Sequence, residues 1–293
     1  MPESPSSLTR EVVLLLNIHQ KKGKKEKGEL AVEIWTRMAS KTNKVYLITA
    51  GNRGLGLGLV KALLARPSTT VIATARSEDG IASLKAEDIS YGPSSQFYTF
   101  PLDLASAPDP GSLLSLFNNA VDNSLTHIDV LINNAACFPP MHATVSIPAA
   151  ELREAFDVNT IAPLRVFQTF YPFLLSSPTG SPKVINISSS VGSIAAQEPF
   201  PGGAYGPSKA ALNWITRSLH LQHEAQGLVA VALHPGWVKT RAGEFAAKEW
   251  GVGVEPPVTV EQSVKGMLEV MDGASRERYG GKFMSFDGSE IPW

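Results

Sequence analysis

From Lys44 onward the chain repeats one pattern, a short run of Val, Ile and Leu followed by a longer stretch of helical periodicity. The apolar runs are Val45–Thr49, Val71–Ala75, Phe97–Leu102, Ile128–Ile132, Val184–Ile187, Leu228–Leu233 and Lys282–Phe286. Helical segments lie between them, notably Leu55–Leu64, Ala149–Leu175 and Tyr205–Ala225. A strand that is apolar at nearly every position has no face to give to water. It belongs in a parallel sheet covered by helices on both sides. The expected fold is therefore α/β, a single doubly wound domain with a central parallel sheet of about seven strands. Such a sheet places its ligand site at the carboxyl ends of the strands.

Composition narrows the classes of function. The formal net charge of -1 over 293 residues argues against a nucleic-acid binder working through its whole surface. Cys137 is the single cysteine, so no intrachain disulfide can form and a reducing compartment, the cytoplasm, is expected. No run of about 20 apolar residues predicts a membrane span, and no cysteine/histidine cluster predicts a metal. His220 and His223 are close in sequence, and a solvated helix face is expected to carry them.

Residues 1–43 read differently. A short apolar run, Val12–Leu16, precedes a lysine-rich stretch from Lys21 to Lys27, and Met38-Ala39-Ser40-Lys41 would make a sensible start for the body that follows. The expectation is an N-terminal extension that is either disordered or an error in the predicted start, with the domain proper spanning 44–293.

The loop after the first strand reads Thr49-Ala50-Gly51-Asn52-Arg53-Gly54-Leu55-Gly56. Glycines let backbone turn tightly against a pyrophosphate while the following helix points free N–H groups at the anion. A carboxylate ending the second strand would bind ribose hydroxyls and repel a 2′-phosphate. Here that strand ends Thr74-Ala75-Arg76, and Arg53 adds a second guanidinium. Two arginines suit a 2′-phosphate, because guanidinium makes charge-assisted, often bidentate bonds to it. NADP(H) is therefore the expected cofactor.

Farther along, Tyr205 and Lys209 are four residues apart, which puts a phenol and an ammonium on one helix face. A neighbouring ammonium should lower the phenol from its usual value near 10. Upstream, the fifth strand ends in Ser188-Ser189-Ser190.

Taken in order, these segments resemble the classical short-chain dehydrogenase/reductases over residues 44–293, a family with a Rossmann fold. The resemblance implies cofactor contacts from Thr49, Gly51, Asn52, Arg53, Gly54, Leu55 and Gly56, from Arg76, and from Asp103 and Leu104 beside the adenine. It adds Asn133 and Ala135 at the end of strand four, Tyr205 and Lys209, and Pro235, Gly236, Val238 and Thr240 on the nicotinamide side. The implied catalytic set is Asn159, Ser189 (with Ser190 as the other match), Tyr205 and Lys209, Asn159 holding a water in the proton path. His234–Thr240 is similar to the carbonyl-reductase-like and sniffer-like branch. The tail Asp287–Trp293 resembles fungal ketoreductases of the norsolorinic acid type. The implied reaction is NADPH-dependent reduction of an apolar ketone, with no membrane or nucleic-acid partner. Relatives are often homodimers or homotetramers, and some are monomers.

Two residues depart from the family pattern. Ala50 stands where the loop has its first glycine and Ala136 where the strand-four motif ends in glycine. Both put cofactor affinity in question and keep a silent NADP-binding regulator open as an alternative, beside a broad carbonyl or quinone reductase. Phe200, Trp237, Phe245 and Trp250 are expected either to line an apolar substrate mouth or to pack a lid or a subunit contact.

Overall fold

The computed structural model describes residues 43–106, 108–121 and 125–293, so the predicted extension lies, but for Asn43, outside the described residues. Seven strands form one parallel sheet: β1 (Lys44–Ile48), β2 (Thr69–Ala75), β3 (Gln96–Pro101), β4 (Val130–Asn133), β5 (Lys183–Ile187), β6 (Val229–His234) and β7 (Phe283–Ser285). Their order is β3-β2-β1-β4-β5-β6-β7. The chain reverses its winding between β1 and β4, and the crevice between their carboxyl ends is where a doubly wound sheet takes its ligand. Among the described residues, no helix is long and apolar enough to cross a membrane.

The α-helices are α1 (Gly54–Leu64), α2 (Glu78–Lys85), α3 (Pro110–Ala120), α4 (Ala149–Phe156), α5 (Ala162–Leu175), α6 (Tyr205–Gln222), α7 (Arg241–Glu249) and α8 (Val260–Gly273). Because strand side chains alternate, each strand feeds both layers. Tyr46 and Ile48 pack with Leu59, Leu63, Met267 and Val270 of α1 and α8 on one face. Val45 and Leu47 pack with Phe117, Phe170 and Leu174 of α3 and α5 on the other. Sequence chemistry sets several helix starts. Asp109 caps α3 ahead of Pro110, Ser77 caps α2, and Thr259 with Gln262 forms a reciprocal capping box on α8.

Three expectations need correction. The predicted helix Ala149–Leu175 is broken by a π turn at Asp157–Ile161, which wedges one extra residue into the turn without altering the apolar pattern. His220 is buried rather than solvated, with Gly280 and Gly281 against its ring, and His223 meets Phe167 and Tyr171 edge to face. The fourth strand starts at Val130, two residues later than expected, although the backbone of Asp129 already bonds Val45 O of β1 and Lys183 N–H of β5. Its buried carboxylate accepts Val45 N–H at 2.7 Å and Ser177 Oγ–H at 2.6 Å, and it lies 3.4 Å from His127 Nε2.

Burial alone would raise the Asp129 carboxyl, but the hydrogen bonds from His127, Ser177 and Val45 outweigh it and hold the group below its ordinary range. A depressed folded value contributes stability that is fully present above the unfolded value near 3.9 and is lost as pH falls through the folded one. Asp129→Asn is expected to cost about 1–3 kcal/mol at neutral pH, a melting-point drop of roughly 3–9 °C. Thermal melts from pH 7 down to pH 3 check this: the gap between variant and parent should narrow below about pH 4.

Candidate active site

The crevice is built around the turn that follows β1. Thr49 Oγ1 accepts the N–H groups of Asn134 and Ala135 at 3.0 Å each, and Asn134 Nδ2 donates to the carbonyls of Thr49 and Ala50, also at 3.0 Å. Four hydrogen bonds thus fix the loop to the end of β4. A Cβ on Gly56 would collide with Ala50 O, and one on Gly51 would sit 2.8 Å from Ala73 Cβ, so both glycines are required for packing. Gly54 takes φ +53 and faces Thr240 across the crevice, at 3.6 Å from where its Cβ would lie to Thr240 Cγ2.

Helix α1 begins here without a side-chain cap and with no acidic residue in its first turn. The loop therefore presents amide donors and the positive helix end to the crevice, a combination suited to a pyrophosphate. Arg53 and Arg76 are exposed and have no ion-pair or hydrogen-bond partner among the described residues. Asp103 is half-buried and caps its own turn through Ala105 N–H, beside the buried Leu104. Pro235 is held by Ser263 Oγ–H at 2.6 Å, Gly236 has φ +84, Val238 is buried and Thr240 caps α7. Together these residues fit a dinucleotide. Asn133 is the exception: its side chain points into the sheet, donating to Asn186 Oδ1 at 2.8 Å, while Asn186 donates to Thr216. Its side chain is thereby given to the core, which leaves its backbone to face the crevice end of the strand.

Tyr205 and Lys209 open α6, both buried. Ser189, at the end of β5, hydrogen-bonds the Tyr205 phenol, whereas Ser190 turns its amide to His234 Nδ1 at 3.1 Å and Ser188 bonds Asn213. Of the two matching serines, the structure brings Ser189 to the phenol. Lys209 Nζ donates to the carbonyl of Ile187 at 2.8 Å and lies 5.6 Å from the Tyr205 ring centre.

The electrostatics reverse one expectation. Burial raises the Tyr205 phenol above its ordinary value, and the Ser189 hydrogen bond opposes this only in part. Burial also lowers the Lys209 amine to about 8. Desolvation penalises the charged form of both groups, so the phenol keeps its proton. His234 is driven down to about 4, again by burial, and Cys137 up to about 11 by burial and Glu154.

Asn159, on the π turn, is completely buried. Its Nδ2 donates to Cys137 O at 3.1 Å and to Ser208 Oγ at 3.0 Å, and its Oδ1 accepts Cys137 N–H at 2.9 Å. Both side-chain hydrogens are committed, so the side chain braces the loop after β4. The aromatic residues expected at the mouth do meet in part. Trp250 packs on Phe200 at 5.9 Å and on Trp237 at 6.5 Å, with its Nε1–H on Pro201 O. Phe245 of α7 is half-buried and outside these ring pairs. Two residues were missed as site members. Asn134 was signalled by a second amide directly after a strand, and Phe138 by Pro139, which holds the preceding residue extended.

Residues 44–249 match the family model described as short chain dehydrogenase, and the chain belongs to that family of oxidoreductases. A short-chain dehydrogenase of Pyricularia oryzae is 37% identical over 255 residues, covering 84% of this chain and 97% of the relative. A norsolorinic acid ketoreductase of Dothistroma septosporum is 33% identical, with 85% and 92% covered. Among solved structures, an NADPH-bound carbonyl reductase from chicken fatty liver is 31% identical with TM-score 0.70 over 86% of this chain and 95% of that one. The carbonyl reductase Sniffer of D. melanogaster is 27% identical with TM-score 0.71, over 86% and 100%.

Ala50, in the place of the loop's first glycine, sits in a strained conformation. It has φ +55, a left-handed conformation that costs an L-residue about 1–2 kcal/mol. Glycine would remove that strain but lose more entropy on folding, about 0.5–1 kcal/mol. Ala50→Gly is therefore expected to stabilise the protein by about 0.5–1 kcal/mol, measured as a melting-point rise of roughly 1–4 °C.

Proposed function

We propose that this protein reduces an apolar ketone to a secondary alcohol with NADPH. The observation that carries the reading is the buried Tyr205 phenol with Ser189 beside it and the Lys209 amine 5.6 Å from its ring centre. When bound, the nicotinamide supplies hydride to the carbonyl carbon. Tyr205 donates its proton to the carbonyl oxygen as charge develops there. Ser189 steadies the same oxygen by hydrogen bonding, an electrostatic contribution that elsewhere reaches about 3–4 kcal/mol. Lys209 holds the nicotinamide ribose, and Asn159 keeps the wall of the pocket in place through Cys137. A phenol held in its acid form suits reduction better than the lowered phenol that sequence spacing suggested.

The uncapped start of α1 takes the pyrophosphate, and Arg53 and Arg76 take the 2′-phosphate. Asp103 and Leu104 frame the adenine. An aromatic polyketide ketone, in the manner of the norsolorinic acid ketoreductases, is the substrate class we favour, given that likeness and the apolar mouth at Phe200, Trp237 and Trp250. A broad carbonyl reductase acting in the cytoplasm is the second reading, favoured by the likeness to the chicken enzyme and Sniffer.

Saturating NADPH, at about 100 times its dissociation constant, should stabilise the protein by about 2.7 kcal/mol, several degrees in a thermal melt, and NADH by much less. Equal shifts would remove the arginine argument, and no shift with either would favour a protein that has lost its cofactor. Tyr205→Phe should lower kcat/KM for ketone reduction at least about 100-fold while keeping the NADPH shift. Parent-like turnover by this variant would eliminate the mechanism.

A further inference from the structure

The proton donor has an aromatic neighbour that the reaction itself does not require. Phe138 lies on Tyr205 with ring centres 5.1 Å apart and planes tilted by 31°, yet 39% of Phe138 remains exposed. An exposed phenylalanine is ordinary on a loop, but this one is held on both sides. Immediately before it, Cys137 is pinned by N–H and carbonyl to the Asn159 side chain. Immediately after it come Pro139 and Pro140, and then Met141, whose N–H bonds Glu249 Oε2 at 2.9 Å. Gly203 packs so closely on this segment that a Cβ there would lie 2.5 Å from Pro140 O. The loop is thus fixed to the π turn, to the end of α7 and to the segment before α6.

A fixed ring, one face against the phenol and part of its surface open, is a stacking platform built beside the group that delivers the proton. Aromatic rings prefer offset or tilted partners at this separation, and a rigid ring contributes to binding with little entropic cost. A substrate whose aromatic ring is directly attached to its carbonyl would place that ring beside Phe138 when its oxygen reaches Tyr205. A saturated ketone of the same size would gain burial but no ring-to-ring contact.

We propose that Phe138 is a specificity-determining residue that selects ketones carrying an aromatic ring on the carbonyl carbon. The proposal rests on the ketone-reduction reading above, and it assigns the selection to this ring rather than to the Phe200–Trp250–Trp237 cluster.

The test compares 1-tetralone with 1-decalone, its saturated counterpart, on the full-length parent, Phe138→Leu and Phe138→Trp. Leucine keeps an apolar side chain of similar reach without a π face, and tryptophan restores one. Binding of each ketone to the NADP⁺ complex is measured by fluorescence titration, and kcat and KM for each with NADPH. The parent should prefer tetralone. Phe138→Leu should reduce that preference roughly threefold to tenfold, in dissociation constant and KM more than in kcat, and Phe138→Trp should restore it. The same preference in parent and Phe138→Leu overturns the proposal. A preference lost in both ketones' binding ratios but without turnover of either by the parent upholds the role of Phe138 and overturns ketone reduction instead. Melting curves of each variant separate lost selection from lost fold.

Discussion

Four hydrogen bonds between the turn after β1 and the end of β4 hold together the point on which the molecule depends. Two parallel strands that are adjacent in space but far apart in sequence diverge here, and a gap between their ends is the geometric result of winding the chain both ways. Thr49 and Asn134 stop that gap from widening. They set where the first amides of α1 point, and so where an anion can rest. Ala50 keeps a strained backbone because the turn passes between Asn134 and Gly56 with no room to relax. Strain of this kind persists only where the surroundings over-determine it.

The second half of the site relies on exclusion of water. Tyr205 and Lys209 begin a helix whose first turn is covered by the β5 end and the loop after β4, and each is pushed toward its uncharged form. Lys209 is satisfied by the Ile187 carbonyl, so an amine that would be costly to bury alone stays in place. Ser189 and Asn159 divide the remaining work, the first on the phenol and the second on the loop wall. The π turn brings Asn159 into that position, since one extra residue rotates the side chain toward Cys137 and Ser208.

The strands were legible because seven nearly unbroken runs of Val, Ile and Leu leave a parallel sheet as the only economical burial. The glycine turn and the Tyr205–Lys209 spacing were legible for a similar reason, each being a local pattern. The illegible parts depend on what is distant in sequence. Nothing local to Asp129 says that Val45 and Ser177 claim its oxygens. Nor does the motif around Asn133 show that Asn186, on the next strand, takes its side chain. At Tyr205 the spacing reveals the ammonium and hides the burial that raises the phenol.

His234 illustrates what such burial does to the character of the whole centre. With its Nδ1 accepting the Ser190 amide and its ring desolvated to about 4, it is an imidazole that does not act as a sensor. Neither it, Tyr205 nor Lys209 changes charge between about pH 5 and pH 7. On further acidification His234 would be the first of these groups to change charge, at about pH 4, just above the range in which Asp129 gives up its contribution to stability.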